Sequence, residues 1–533
     1  MSAAISAGPC NPSRLILQSR IQKCPEAENE RRDQCSPRSL APPFDMNYIT
    51  IDFCNVTILY THPGQNDSVT LTVWLPLTRA KWTGRFLGQG GGGWKAGDPV
   101  QLSPVVSLGY ASASTDAGRN IYGTRDEVVY SSKNWSLRAK GEVNRVWLEN
   151  FASRALGELA VVGKAVVKAY YGEEARFSYW HGCSTGGRQG MMLAQKFPGA
   201  FDGVLAAAPA INWTTFLVVE FWAQLVMKRL GYYPPPCELK AITKAAIEAC
   251  DGLDGVVDGL VSAPGLCKFN ATSVVGQKYD CEGDKRTITS AAAEIANAAW
   301  TGPSDANGKP VWFGLTRETT LYNSELGKGL VNTICDTDNK NCKGDPFPIS
   351  ADWIRQLIIK DEDFDVGSIT EESYLDILRA SREEYFSQMD TSDPDLRPFQ
   401  KKGGKIVSWH GLADTLIMPN GTSTYYDRVT AISPDVRDFY RFFEAPGVAH
   451  CAGGPGPAPL RALESLVRWV EENVAPEVLD AQSVPTSAGE PVVYRPLCPW
   501  PKVAAKRSGD PGQASSFACA DSFDAAPNAH DEL

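Results

Sequence analysis

The chain has 533 residues, of which 43% are hydrophobic, enough to bury a large core and more than one typical domain needs. A formal net charge of −10, with no basic cluster interleaved with aromatics, argues against a nucleic-acid partner. No apolar stretch approaches the ~20 residues of a membrane-spanning helix, so no membrane partner is expected.

In chain order, Met1-Ser2-Ala3-Ala4-Ile5 lacks the long apolar run of a signal peptide, which predicts a chain whose leader has been removed. Strand-like runs follow at Val69 to Leu75, Arg85 to Leu87 and Tyr110 to Ser114, and are assigned to a parallel sheet. The second run leads into Gln89-Gly90-Gly91-Gly92-Gly93-Trp94, where bare glycine backbone can bring an amide up to a developing oxyanion. Gly91 or Gly92 is the expected donor. A phosphate cradle would use a similar run, but no Lys-Ser/Thr pair follows it.

Phe177 to Trp180 reads as another strand, ending in Gly182-Cys183-Ser184-Thr185-Gly186 and followed by a helix-like stretch through Met191, Met192, Leu193 and Ala194. This is G-x-S-x-G in a strand, turn and helix context, where a strained turn lifts the serine hydroxyl above the sheet edge. The amide of Thr185, directly after Ser184, is the other expected oxyanion donor. Gly203 to Ala206 continues the sheet.

From about 211 to 397 the composition changes to helical stretches such as Ala241 to Ala249 and Trp353 to Lys360, with cysteines and Gly/Pro-rich turns. This predicts a lid domain inserted into a catalytic domain of residues 1–210 and 398–533. Trp213, Phe216, Phe221 and Trp222 are expected to line an apolar slot for an aromatic acid. Asp251, Asp254 and Asp258 sit at short spacing among glycines, a pattern that suits a hard cation taking oxygen ligands, although it lacks EF-hand spacing. Lys285-Arg286 reads as a solvated pair or a dibasic processing site.

The sheet resumes at Lys405 to Trp409, followed by His410 and Asp414, and Phe439 to Phe443 leads into a loop ending in His450-Cys451. A serine hydroxyl becomes nucleophilic when a base takes its proton, and the base needs a carboxylate to fix its tautomer. Among His62, His181, His410, His450 and His530, only His450 and His530 follow both Ser184 and the best acid, Asp414, and His530 lies in the terminal tail. Asp116 is a rival carboxylate, but it precedes the serine. Hence Ser184, Asp414 and His450 form the candidate triad. Ser184 and His450 each adjoin a cysteine, and a disulfide between Cys183 and Cys451 would hold the two together.

The chain has 14 cysteines and sequons at Asn55, Asn66, Asn134, Asn212, Asn270 and Asn420, which agree with an oxidising, glycosylating secretory route. Further pairings expected from proximity are Cys10 with Cys54, Cys250 with Cys267, Cys335 with Cys342 and Cys498 with Cys519. The chain ends in His530-Asp531-Glu532-Leu533, an ER-retention signal, and the tail after about 505 is expected to be disordered.

The Cys-Ser pair, the later Asp and the His-Cys pair resemble the pattern of the fungal tannase and feruloyl esterase family from about residue 10 to residue 520. The resemblance implies an α/β-hydrolase fold with a lid, no organic cofactor, and hydrolysis of phenolic acid esters by the triad with its Cys183–Cys451 bridge. It further implies a structural calcium ion held by the side chains of Asp251, Asp254 and Asp258 and the carbonyls of Val256 and Leu260. Feruloyl esters of plant cell-wall polysaccharide are the expected substrates, with galloyl esters as the alternative. A non-catalytic binding protein on the same scaffold is more remote, since every triad member is present.

Overall fold

The computed structural model describes residues 12–16, 50–119, 123–325, 327–485 and 490–523. The calls on Cys10, on the first five residues and on the His530–Leu533 signal lie outside them. A nine-stranded sheet organises the chain: β1 (Pro12–Ile16), β2 (Thr50–Tyr60), β3 (Val69–Pro76), β4 (Arg85–Gln89), β5 (Ala111–Thr115), β6 (Phe177–Cys183), β7 (Gly203–Ala207), β8 (Lys405–Gly411) and β9 (Tyr440–Ala445). Their spatial order is β1-β2-β3-β5-β4-β6-β7-β8-β9. From β5 through β4 to β9 every neighbouring pair is parallel.

One correction concerns β3, expected among the parallel strands. It runs antiparallel to both β2 and β5. Only residues 61–68 join β2 to β3, too few for the crossover that a parallel pair needs. Strands β5 and β7 are buried along their whole length, as parallel strands covered on both faces must be. Helix α1 (Ala155–Tyr171) packs on β5 and β3, and α2 (Thr185–Lys196) starts directly from the end of β6. This arrangement is an α/β-hydrolase fold.

Between β7 and β8 the chain leaves the sheet for residues 208–404 and forms α3 (Trp213–Val219), α4 (Pro236–Cys250), α5 (Ser290–Thr301) and α6 (Glu371–Met389), among shorter turns. The stretch from Trp353 to Ile359 is wound as a π-helix rather than an α-helix. The segment shares a continuous core with the sheet side: Trp213 packs edge-on against Trp94 and Phe151, and Trp353 packs near both Trp94 and Trp213. The tail also departs from expectation. Phe517–Ala520 pairs with Val503–Lys506 under the Cys498–Cys519 bridge, so order extends past 505 because a hairpin and a disulfide hold it.

Candidate active site

Ser184 stands between β6 and α2 with φ +62° and ψ −121°, a strained conformation held by close packing on both sides. A side chain at Gly182 would come within 2.4 Å of the Gly186 carbonyl carbon, and one at Gly186 within 3.0 Å of the Gly91 oxygen. The turn therefore closes only with glycine at 182, and at 186 a side chain would press on the glycine loop. The Ser184 amide donates to Ala207 O at the end of β7 (3.0 Å).

Asp414 lies just beyond the end of β8 and is fully buried. Its Oδ1 accepts from the amides of Leu416 and Ile417, both at 2.9 Å. His450 Nδ1 sits 2.8 Å from Oδ2 and 3.0 Å from Oδ1. His410 Nε2 approaches the same Oδ2 at 3.0 Å, and its Nδ1 meets Thr422 Oγ1 at 2.8 Å. Burial alone would raise the Asp414 carboxyl, but His450 and then His410 outweigh it and hold it well below the usual carboxylate range. An ionised Asp414 accepts a proton-bearing Nδ1, leaving Nε2 of His450 available as a base.

The disulfide from Cys183 to Cys451 (S–S 2.03 Å, Cα–Cα 5.8 Å) closes a sequence separation of 268 and puts the residues next to Ser184 and His450 in covalent contact. Among the described residues no hydrogen bond yet joins the Ser184 hydroxyl to the imidazole, a contact that unliganded enzymes often leave long. Ser184, His450, both bridge cysteines and Gly91 to Gly93 are partly exposed above the buried acid.

The glycine loop differs from expectation in its donors. The Gly91 amide is spent on Gln189 Oε1 (3.0 Å) and the Gly92 amide on Lys95 O (3.0 Å). Gly90 likewise donates to His181 O (2.9 Å), which leaves Gly93 as the amide of the run without an acceptor among the described residues. Thr185 Oγ1 donates to Gly93 O (2.8 Å) and so ties that residue to the amide that follows the serine. A buried glutamine four residues into the helix gave no sequence signal for this clamp, because its partner lies 98 positions away.

Trp213, Phe216 and Phe221 were expected in the slot, yet they are 2–4% exposed within the large core, where a wall of aromatics holds the inserted segment to the sheet. Trp222 is half-buried, its ring tilted against that of Tyr374. Trp312 was not foreseen, and it packs within 3.1 Å of where a Gly421 side chain would stand, beside Asn212. Glu220, at the end of α3, is 1% exposed and leaves Oε2 without a partner, and burial and then the Asp414 charge push its carboxyl well up. A lone acid inside Phe216-Leu217-Val218-Val219-Glu220-Phe221 was the signal that could have found it.

In the acidic loop, Asp251 accepts from the amides of Asp258 and Gly259 (2.9 Å each), Asp254 from Val256 (2.9 Å) and Asp258 from Leu260 (3.2 Å). Asp258 also pairs with Arg495 at 2.7 Å. The carbonyls of Val256 and Leu260, on residues 3% and 4% exposed, accept no hydrogen bond from described residues. Among the described residues no three acidic, His or Cys side chains are gathered to hold a metal ion, and the carboxylates here are turned onto the loop's own amides and Arg495. The bridges Cys250–Cys267 and Cys335–Cys342 are present, and Cys237–Cys281, not foreseen, ties α4 to the Lys278–Cys281 strand.

A family model described as tannase and feruloyl esterase matches residues 54–520. A probable feruloyl esterase from Arthroderma benhamiae is 42% identical, covering 89% of this chain and 87% of its own length. A tannase from Aspergillus oryzae is 31% identical over 88% of this chain and 85% of its own. Among solved structures, tannin acyl hydrolase from Aspergillus niger superposes with a TM-score of 0.80 at 27% identity, covering 97% of this chain and 93% of that one. With an acid-bound histidine cross-linked to a strained serine turn, and with these relatives, the chain belongs to the tannase and feruloyl esterase family of carboxylic ester hydrolases.

Proposed function

We propose that the protein hydrolyses phenolic acid esters, feruloyl esters of plant cell-wall polysaccharide in particular, through an acyl-enzyme on Ser184. The observation that carries this reading is the Asp414–His450 pair held beside the serine turn by the Cys183–Cys451 bond. His450 Nε2 takes the Ser184 proton as Oγ attacks the ester carbonyl. Asp414 fixes the imidazole tautomer and stabilises the imidazolium that forms. The amides of Thr185 and Gly93 receive the oxyanion in this scheme, in place of Gly91 and Gly92. Collapse of the tetrahedral adduct expels the alcohol, which His450 protonates. Water, deprotonated by the same imidazole, then attacks the acyl carbonyl and releases the phenolic acid and the free serine.

Several features support the wider setting. The feruloyl esterase relative is more alike than the tannase relative, which favours hydroxycinnamoyl over galloyl substrates. Residues 211–397 act as the lid in this reading. Calcium held by Asp251, Asp254, Asp258 and the Val256 and Leu260 carbonyls would supply structural rigidity rather than chemistry. Asn55, Asn66, Asn134, Asn270 and Asn420 are exposed, whereas Asn212 is half-buried, so glycans of a secretory route fit the first five. No helix among the described residues is long and apolar enough to cross a membrane.

The test compares methyl ferulate with methyl gallate. Wild type is expected to cleave ferulate with the higher kcat/KM, and Ser184→Ala to cleave neither. A reversed preference would make galloyl esters the substrate, and activity surviving Ser184→Ala would remove the nucleophile assignment.

A further inference from the structure

Residues 314–319 carry the inserted segment onto the catalytic edge of the sheet, where one side chain bonds the loop that presents the acid and another bonds the end of the acidic loop. The segment is braced from behind: Leu315 N donates to Ala299 O at the end of α5 (2.9 Å), and Arg317 Nε donates to Phe269 O (2.8 Å). Thr316 Oγ1 lies 2.5 Å from Leu412 O, two residues before Asp414. Glu318, 7% exposed, accepts from the Val261 amide through Oε2 (3.1 Å), directly after the acidic loop. The Gly447 amide, three residues before His450, faces the same carboxyl group without closing a hydrogen bond, and Oε1 has no partner.

The acidic loop and the histidine loop also touch directly. A side chain at Gly447 would come within 2.5 Å of Leu260 Cδ2, and the histidine loop in turn supplies Ala445 O to Leu412 N (2.9 Å) and Val448 O to Ala413 N (3.0 Å). Asp258 is fastened from the other side by Arg495. A disturbance in residues 251–261 therefore meets the histidine loop at two points, Leu260 and Glu318, before it meets anything else of the catalytic machinery.

We infer that Glu318 is a positioning residue which joins the acidic loop to the loop carrying His450, so that order in residues 251–261 sets the placement of the imidazole. This rests on His450 being the base. Glu318 has a reason to be an acid in this place: the Val261 amide donates to it and the Gly447 amide faces it from a separate loop, both away from water. Glutamine retains one acceptor oxygen for those amides, while alanine retains none.

Amide hydrogen exchange and steady-state kinetics test the assignment on the full chain. In Glu318→Ala, exchange over 445–451 should quicken by about 10-fold while 177–187 stays as in wild type, because opening is local to the loop that lost its anchor. The same variant should lose about 10-fold in kcat on methyl ferulate with KM within about twofold, and Glu318→Gln should recover most of both. Asp251→Asn, which loosens the acidic loop from within, should also quicken 445–451, and should add less once Glu318 is alanine than it does alone, as expected of coupled sites. Unchanged exchange at 445–451 in Glu318→Ala, or multiplying effects in the double variant, overturns the proposal. Should Glu318→Ala fail to fold, Asp251→Asn alone decides, since a histidine loop indifferent to it also overturns the link. A wild type that cleaves no ester would sink the esterase reading and leave the exchange result standing.

Discussion

The serine turn and the acidic loop are both short, glycine-rich segments whose chemistry was visible in the chain, yet they differ in what completes them. At Gly182–Gly186 the strand, the strained residue and the helix are contiguous, so the local sequence specifies the geometry and the amide after Ser184 comes with it. At Asp251–Leu260 the carboxylates fold back onto loop amides, and the remaining contacts come from Glu318, Arg495 and Leu260 against Gly447, up to 237 residues away. A site closed by its own backbone can be read from a motif. A site closed by distant chain can be read only as a set of donors.

The sharpest way to break this contrast is at the acid, because Asp414 belongs to neither motif and is gripped from both sides. Asp414→Asn should lower kcat by about 10⁴, since an amide leaves the imidazole in the wrong tautomer. Methyl ferulate kinetics with a circular-dichroism check of folding measure it, and a loss below about tenfold would mean that another carboxylate serves His450.

Next in size is the covalent link. Replacing Cys183 and Cys451 together by serine should cost roughly 2–4 kcal/mol of stability, the range for removing a native bridge. It should also cost up to about 100-fold in kcat, from imidazole misplacement. Denaturant melts and kinetics on the same sample separate the two effects. Lost stability with kcat intact would mean that the loop contacts place His450 without the bond.

For the acidic loop, calcium added to chelator-treated protein should raise Tm, by an amount equivalent to about 2.7 kcal/mol at a hundredfold excess over Kd. Magnesium should do less, because it prefers a tighter octahedral shell. Asp254→Asn should blunt the response. A melting curve indifferent to calcium would leave the loop as a self-capped turn.

The same division explains what was legible. Ser184, Asp414, His450 and the strand starts at Val69, Arg85 and Lys405 follow from periodicity, chain order and turn chemistry, all short-range. The donors of Gly91 and Gly92 were misjudged because Gln189 and Lys95 claim them, and the first of these claims is made across 98 residues. The aromatic run from Trp213 was read as a pocket wall when Trp94 and Trp353 turn it into core. Composition shows that aromatics are present, but only tertiary packing says which of them keep an open face. Likewise Cys237–Cys281 is invisible without the α4 position that brings the two thiols together.

The smallest expected effect probes a site that mixes both kinds of closure. His62 Nδ1 meets Asp67 Oδ2 at 2.6 Å, five residues on, and its Nε2 meets Glu158 Oε1 at 2.7 Å, 96 residues on. Burial alone would lower the His62 pKa, but the bonds to Glu158 and then Asp67 outweigh it, so the folded value is raised above 6.5. A raised value means that the imidazolium's contribution is complete below 6.5 and fades as pH climbs through the folded value. Asp67 has the opposite sign: burial is outweighed by the His62 amide and ring and by Asn150, so its value falls from 3.8 to about 2 and its contribution fades as pH falls through that range. The Tm gap between wild type and His62→Gln should therefore be wider at about pH 5.5 than at about pH 9. Glu158→Gln should remove most of that pH dependence if the distant partner is what raises the imidazole. If Asp67→Asn removes it instead, the short-range partner carries the charge, and this corner belongs with the serine turn rather than with the acidic loop.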